Sequence, residues 1–97
     1  MNIEKTMNGS TLTVKPEGRL DTASAPELDK ALKDLDGVEE LILDFEQLEY
    51  ISSGGLRVLL AAEQSMEDRG SMKLINVNEH IMEIFDITGF ADILDIE

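Results

Sequence analysis

Two serines followed by two glycines, Ser52 to Gly55, form the segment of this sequence with the clearest potential for chemistry. They come directly before an amphipathic stretch, so we expect them at a helix N-terminus. Unpaired backbone N–H groups and the helix dipole stabilise an anion at such a position. A phosphate on a serine there would add about two negative charges where the fold tolerates them. The simpler interpretation is a serine that only caps the helix.

Nucleotide hydrolysis and serine-nucleophile catalysis fit this segment poorly. A P-loop needs Lys after its last glycine, and no Lys follows Gly55. A nucleophile elbow needs Gly two residues before the serine, where Ile51 stands before Ser53. His80 is the only histidine and there is no Cys, so a hydrolase or a metal site would depend on His80 meeting residues of other elements. We therefore expect no enzyme activity, no metal and no cofactor.

The segment that follows Ser53 has the spacing of an amphipathic helix that runs to Arg69 and ends at Gly70. At about 100° per residue, one arc is apolar and predicts the core face: Gly55, Val58, Leu59, Ala62 and Met66. The opposite arc is polar and is expected to face solvent: Arg57, Glu63, Gln64, Glu67 and Asp68. Leu56 and Leu60 fall between the arcs. They predict either a partly exposed apolar strip that binds a partner or a flank that a neighbouring loop covers.

Asp21 is a second candidate for the site. It follows a predicted strand and precedes a helix, so its loop and the loop before Ser53 can converge at one edge of a sheet. Taken alone, Asp21 is best explained by an Asx-type turn.

The predicted strands begin with a hairpin. Asn8 and Gly9 separate two segments of alternating polarity, Ile3–Met7 and Ser10–Lys15, which predicts a type I′ turn between two antiparallel strands. The run Leu41–Phe45 is short and apolar up to its acidic residue, so it predicts a central strand buried on both faces.

Capping residues mark two further helices. Ser24 and Glu27 predict a capping box at the start of the first helix, whose apolar stripe ends before Gly37. Asn78 predicts the N-cap of the last helix, which is expected to stop near Gly89.

Two more strands complete the pattern, Met72–Val77 and a short one at Ile93–Ile96. The predicted order is β-β-α-β-α-β-α-β. A hairpin followed by strand–helix–strand crossovers predicts an α/β fold, a mixed β-sheet covered by helices.

Length and charge limit the partners. The chain has 97 residues, enough for one domain over residues 1–97, and its 21 acidic against 8 basic side chains give a net charge of −13. Such an excess of acid repels phosphate backbones and anionic lipid, so nucleic acid and membrane are not expected partners. No signal peptide or membrane span is predicted, which favours a cytoplasmic location.

Together these motifs resemble a STAS domain of the anti-sigma factor antagonist type. The resemblance spans nearly the whole chain and rests on these segments: Gly18–Thr22, Leu41–Phe45, Tyr50–Leu60, Leu74–Val77 and Ile84–Phe90. It implies a STAS fold and a non-enzymatic partner switch. In this family the unphosphorylated antagonist binds an anti-sigma factor that is also a serine kinase, which frees the sigma factor. A PP2C-type phosphatase reverses the phosphorylation.

The resemblance also implies roles for individual residues. It places the phosphoacceptor on Ser53, with Ser52 as second choice, because Ser52 stands where the family usually has Asp. It places Asp21 at the contact with the kinase. The implied partner face comprises Asp21, Ser52, Ser53, Gly54, Leu56 and Leu60. The alternative is a STAS subunit of a transporter or multi-protein signalling complex that binds without being phosphorylated. A hydrolase using Ser53 and His80 ranks below both.

Overall fold

The computed structural model describes all 97 residues. In chain order the elements are β1 (Asn2–Asn8), β2 (Thr11–Leu20), α1 (Ala25–Ala31), β3 (Glu40–Asp44), β4 (Leu48–Ile51), α2 (Ser53–Met66), β5 (Ser71–Ile75), α3 (Glu79–Thr88) and a short 3₁₀ helix (Phe90–Asp92). The predicted α/β class with a mixed sheet is confirmed. The predicted order is wrong at two places, because β4 was missed and no strand forms at Ile93–Ile96. There, Ile96 makes only an isolated bridge to Leu74 of β5.

The sheet is organised around β2, which pairs with three other strands. It is antiparallel to β1, and its first residues, Thr11–Val14, are parallel to β3. Its last residues, Gly18–Leu20, are parallel to β4. β5 completes the sheet beside β3. The prediction ended this strand at Lys15, whereas β2 continues to Leu20, with a register shift between Gly18 and Arg19.

Burial alternates along the strands, which shows that one face of the sheet packs on the core. Leu41 and Leu43 of β3 are fully buried, whereas Ile42 between them is only partly buried. The prediction that this strand is buried on both faces is therefore wrong. The 23-residue apolar core fills the space between the buried face and the helices.

The hairpin forms one residue away from the predicted turn. Asn8 pairs with Thr11, so the two central residues are Gly9 and Ser10, and only Gly9 has a positive φ, at 63°. Positive φ at the first central residue alone is the pattern of a type II′ turn rather than type I′.

The start of α1 also differs from the prediction. Ser24 caps no amide of the helix, and the Glu27 carboxylate pairs instead with the N-terminal amine at 3.1 Å. The turn begins at Asp21, whose Oδ1 accepts from the N–H groups of Ala23 and Ser24 at 3.1 and 3.0 Å. The expected capping box is wrong because the Ser24 hydroxyl bonds to the backbone of Arg19 and Asp21, and the N–H of Ser24 donates to Asp21 rather than to Glu27.

The other two helices follow the prediction more closely. Asn78 caps α3, because its Oδ1 accepts from the N–H of Ile81 at 2.8 Å, and Gly89 ends the helix with φ of 84°. α2 begins at Ser53 as predicted but ends at Met66, three residues early. No helix of the chain is both long and apolar enough to span a bilayer.

Glu63 departs from the polar arc predicted for α2. It is partly buried, and its Oε2 has no hydrogen-bond partner. Burial raises the pKa of Glu63, and the nearby Glu67 and Asp95 raise it further. The folded state therefore holds this proton more tightly than the unfolded state, so the contribution of Glu63 to stability falls as pH rises through the raised pKa.

We expect Glu63→Gln to stabilise the protein at pH 7 by up to about 1 kcal/mol, a modest effect because the side chain is only partly buried. The gain over wild type should shrink as the pH is lowered toward the ordinary glutamate range. Thermal denaturation at several pH values measures it. Glu83→Gln, which removes the same charge from an exposed position on α3, serves as control, and an equal pH-dependent gain in both variants would contradict the explanation.

Candidate functional site

The two serines lie where the chain passes from β4 into α2. Ser52 is the N-cap residue, with extended backbone, and its carbonyl accepts the first helical hydrogen bond from Leu56 at 3.0 Å. Ser53 is the first residue of the helix and is exposed. The Oγ of Ser52 is buried and has no hydrogen-bond partner. The two hydroxyls therefore differ sharply in access, and only that of Ser53 faces solvent.

A backbone hydrogen bond brings Asp21 to the same place. The N–H of Ser52 donates to the carbonyl of Leu20 at 2.8 Å, and Asp21 and Ser53 are the residues that follow this bonded pair. The sheet edge thus joins the two loops that the sequence predicted to converge.

The two glycines allow α2 to start this close to the sheet. A Cβ on Gly55 would lie 2.7 Å from Cγ of Leu20 and 2.8 Å from Cγ1 of Ile51, which is closer than atoms can approach. A Cβ on Gly54 would lie 3.3 Å from Cα of Thr22, a tight but less severe contact. Gly55 therefore seats the helix on β2 and β4, and Gly54 packs it against the Asp21 loop.

The first turn of α2 carries neither of the usual features of a helix N-terminus. No side chain caps it, and it contains no acidic residue, although α1 and α3 each have one in the first turn. Its amides and the positive end of the helix dipole are therefore uncompensated. A negative charge added at Ser53 would be stabilised there, by about 0.3–1 kcal/mol for an exposed position.

Asp21 is held in place by the loop it starts. Its carboxylate accepts hydrogen bonds from two amides of the loop, and its own N–H donates to Ser24 Oγ at 2.9 Å. The Ser24 hydroxyl in turn donates to the carbonyl of Arg19 at 2.7 Å. The backbone hydrogen bond from Ser24 is the main cause that lowers the pKa of Asp21. The expected Asx-type turn is confirmed, and it fixes a negatively charged Asp21 beside α2.

Leu56 and Leu60 do not form the predicted strip. Leu56 is only 7% exposed and belongs to the core, so the exposed strip is wrong at this residue and the alternative of a covered flank applies. Leu60, one turn later, is partly exposed as predicted. A projection of one helix leaves out its neighbours, and α2 packs against α1, β4 and β5, which together bury a wider arc than the projection gave.

His80 takes part in a stack that the sequence did not predict. The centres of the Tyr50 and His80 rings lie 6.1 Å apart with their planes inclined by 28°, and the Arg19 guanidinium lies 4.4 Å from the centre of the Tyr50 ring. His80 belongs to α3, Tyr50 to β4 and Arg19 to β2. Arg19 lies opposite Tyr50 in the pairing of β2 with β4. Because the sequence analysis did not predict β4, it did not predict this contact. His80 makes no hydrogen bond with Ser53, and the two do not form a nucleophile–base pair.

A comparison with protein families matches residues 2–97 to the STAS domain. A Bordetella bronchiseptica protein described as an anti-sigma factor antagonist, BtrV, is 37% identical over 83 residues, which cover 82% of this chain and 72% of that protein. The anti-sigma-B factor antagonist of Bacillus subtilis is 33% identical over 98 residues, covering 99% of this chain and 90% of that protein. This chain is a STAS domain of the anti-sigma factor antagonist family. The resemblance found in the sequence is confirmed.

Solved structures agree with this family assignment at the level of the fold. The Bacillus cell fate determinant SpoIIAA in its phosphorylated form superposes with a TM-score of 0.76 at 19% identity, over 99% of this STAS domain and 91% of that chain. This STAS domain thus has a known fold, and one protein with that fold has been solved in a phosphorylated form.

The seating of α2 makes a prediction about this STAS domain. We expect Gly55→Ala to destabilise the fold by about 1–3 kcal/mol, because the new methyl group collides with Leu20 and Ile51. Gly54→Ala is the matched control. Its tight contact with Thr22 is offset by the better helix propensity of alanine, so its stability should stay within about 1 kcal/mol of wild type. Urea denaturation compares the two, and equal losses would show that Gly55 has no special role.

Proposed function

We propose that this STAS domain is an anti-sigma factor antagonist whose partner binding is controlled by phosphorylation of Ser53. Unphosphorylated, it binds an anti-sigma factor that is also a serine kinase, in the cytoplasm, and thereby releases a sigma factor to activate transcription. A PP2C-type phosphatase restores the unphosphorylated form. The observation that carries the proposal is the exposed Ser53 on the uncapped first turn of α2, fixed beside Asp21.

Accessibility favours Ser53 over Ser52 as the acceptor. A kinase must bring the γ-phosphate of ATP to the hydroxyl oxygen, so that a bond from Oγ to phosphorus forms as the bond to ADP breaks. The hydroxyl proton passes to a base of the kinase. Ser53 is exposed, whereas Oγ of Ser52 is buried. Ser52 remains the second choice only if the helix start opens.

The surface around Ser53 supplies the partner contacts. We define the docking face as Asp21, Ser53, Gly54 and Leu60, with Ser52 lying beneath it. Asp21 contributes a fixed charge, and Leu60 offers partly exposed apolar area. Gly54 lets the Asp21 loop pack close to the first turn of α2. Leu56 supports this face from the core rather than touching the partner.

One phosphate is enough to switch such a face. It places a dianion where the partner has packed against a neutral hydroxyl, and an unpaired charge buried at an interface costs several kcal/mol. Each tenfold loss of affinity corresponds to about 1.4 kcal/mol. No refolding is required, because the start of α2 accommodates the charge.

Substitutions at Ser53 test the switch directly. Ser53→Ala should bind the cognate anti-sigma factor kinase as tightly as wild type, whereas Ser53→Asp should bind at least about tenfold more weakly. Isothermal titration calorimetry with each purified variant measures the difference. Equal affinity of both variants for the kinase would contradict the proposed switch.

Intact mass after incubation with that kinase and ATP supplies a second test. A gain of one phosphate that Ser53→Ala abolishes supports the switch. No gain with any cognate kinase would favour the other function, a STAS subunit that binds within a transporter or signalling complex without being modified.

Leu56 and Leu60 of α2 distinguish residues that bind the partner from residues that stabilise the fold. We expect Leu60→Ala to lower affinity for the kinase about tenfold while costing less than about 1 kcal/mol of stability, because the side chain is partly exposed. Leu56→Ala should instead cost about 2–5 kcal/mol of stability, since it opens a cavity in the core. Binding and denaturation measured on the same samples distinguish them, and unchanged affinity of Leu60→Ala would remove that residue from the docking face.

A further inference from the structure

Arg57 is an exposed cation that lies one helical turn after Ser53 on α2. It forms no ion pair and no hydrogen bond. This is unexpected in a chain with 21 acidic and only 8 basic side chains, where a cation is rarely far from a carboxylate.

Most other cationic side chains in the protein are already engaged. The ones paired with carboxylates are Lys15, Lys33, Arg69 and Lys73. Lys5 donates to the carbonyl of Ala31, and Arg19 lies over the Tyr50 ring. Only Arg57 and Lys30 are left without any such partner, and Arg57 is the one on the helix that begins at Ser53.

The position of Arg57 brings it back toward the first turn. Side chains of an α-helix tilt toward its N-terminus, and residues four apart lie one above the other with Cβ atoms about 5–6 Å apart. Arg57 lines a groove of about 290 Å³ together with Gly54 of that first turn and Thr22 of the Asp21 loop. Asp29 lies in the same groove, but it pairs with Lys33 and not with Arg57.

We propose that Arg57 is the internal counter-ion of a phosphate on Ser53. A guanidinium can donate two parallel hydrogen bonds to phosphate oxygens, and the spacing of four residues along the helix allows it. This inference rests on the proposed phosphorylation of Ser53 and adds a second effect to it. Phosphorylation then adds a dianion to the docking face and also pairs Arg57, which was free to contact the partner. The new ion pair stabilises the first turn of α2.

The test uses phosphoserine installed at position 53 during translation, so that it does not depend on any kinase. The ³¹P NMR signal is followed over pH in three backgrounds: wild type, Arg57→Gln and Arg69→Gln. Asp21 and Asp29, on the neighbouring elements, also face this region, so the variants are compared with one another rather than with a free phosphate. Arg69→Gln is the control, because it removes the same charge beyond the other end of α2.

Arg57→Gln should raise the midpoint of the phosphate titration by about 0.2–0.4 pH unit, while Arg69→Gln leaves it unchanged. Arg57→Lys should restore part of the shift. Phosphorylation should also raise the melting temperature by about 2–4 °C in wild type and by less in Arg57→Gln. The same midpoint with and without Arg57 would overturn the pairing. A failure of the kinase to modify Ser53 would instead count against the proposed function alone.

Discussion

The close packing of the first turn of α2 on the end of β2 is the constraint on which the site depends. The Leu20 carbonyl accepts from the N–H of Ser52, and the missing Cβ of Gly55 lets the Leu20 side chain occupy the space beneath the helix. This contact sets the distance between two loops whose bonded residues, Leu20 and Ser52, are 32 positions apart in the chain. Because it is made by backbone and core atoms, this contact uses neither the carboxylate of Asp21 nor the hydroxyl of Ser53.

Predictions from the sequence succeeded where both partners of an interaction are close in the chain. Asn78 caps α3 because its acceptor and the amide of Ile81 are three residues apart, and no other group competes. The same local reasoning failed at Ser24, because Asp21 supplies a better acceptor to the loop and draws the serine hydroxyl toward Arg19. A local sequence pattern indicates which hydrogen bonds are possible. Competition among the available acceptors decides which of these bonds forms.

The parts of the fold and site that the sequence could not predict depend on distant elements. β4 has only four residues, and it forms because β2 continues beyond Lys15 and offers it an unpaired edge. Leu56 is buried because the neighbouring elements cover a wider arc of α2 than the spacing of its apolar residues predicts. The positions of Ser53 and Asp21 in their loops could be predicted from the residues, whereas their meeting at one edge depends on the pairing of β2 with β4.

The charge of the protein restricts how a phosphate can act on it. Two more negative charges change little in a chain whose net charge is −13. In physiological salt, interactions between exposed charges are also screened beyond about 8–10 Å. A partner must therefore distinguish the phosphorylated from the unphosphorylated protein through groups that lie close to the phosphate. Asp21 already places a negative charge on the proposed docking face, but two backbone amides of its own loop compensate that charge. A partner that accepts Asp21 and rejects phosphorylated Ser53 would thus respond to where the charge lies and what already binds it, rather than to its sign.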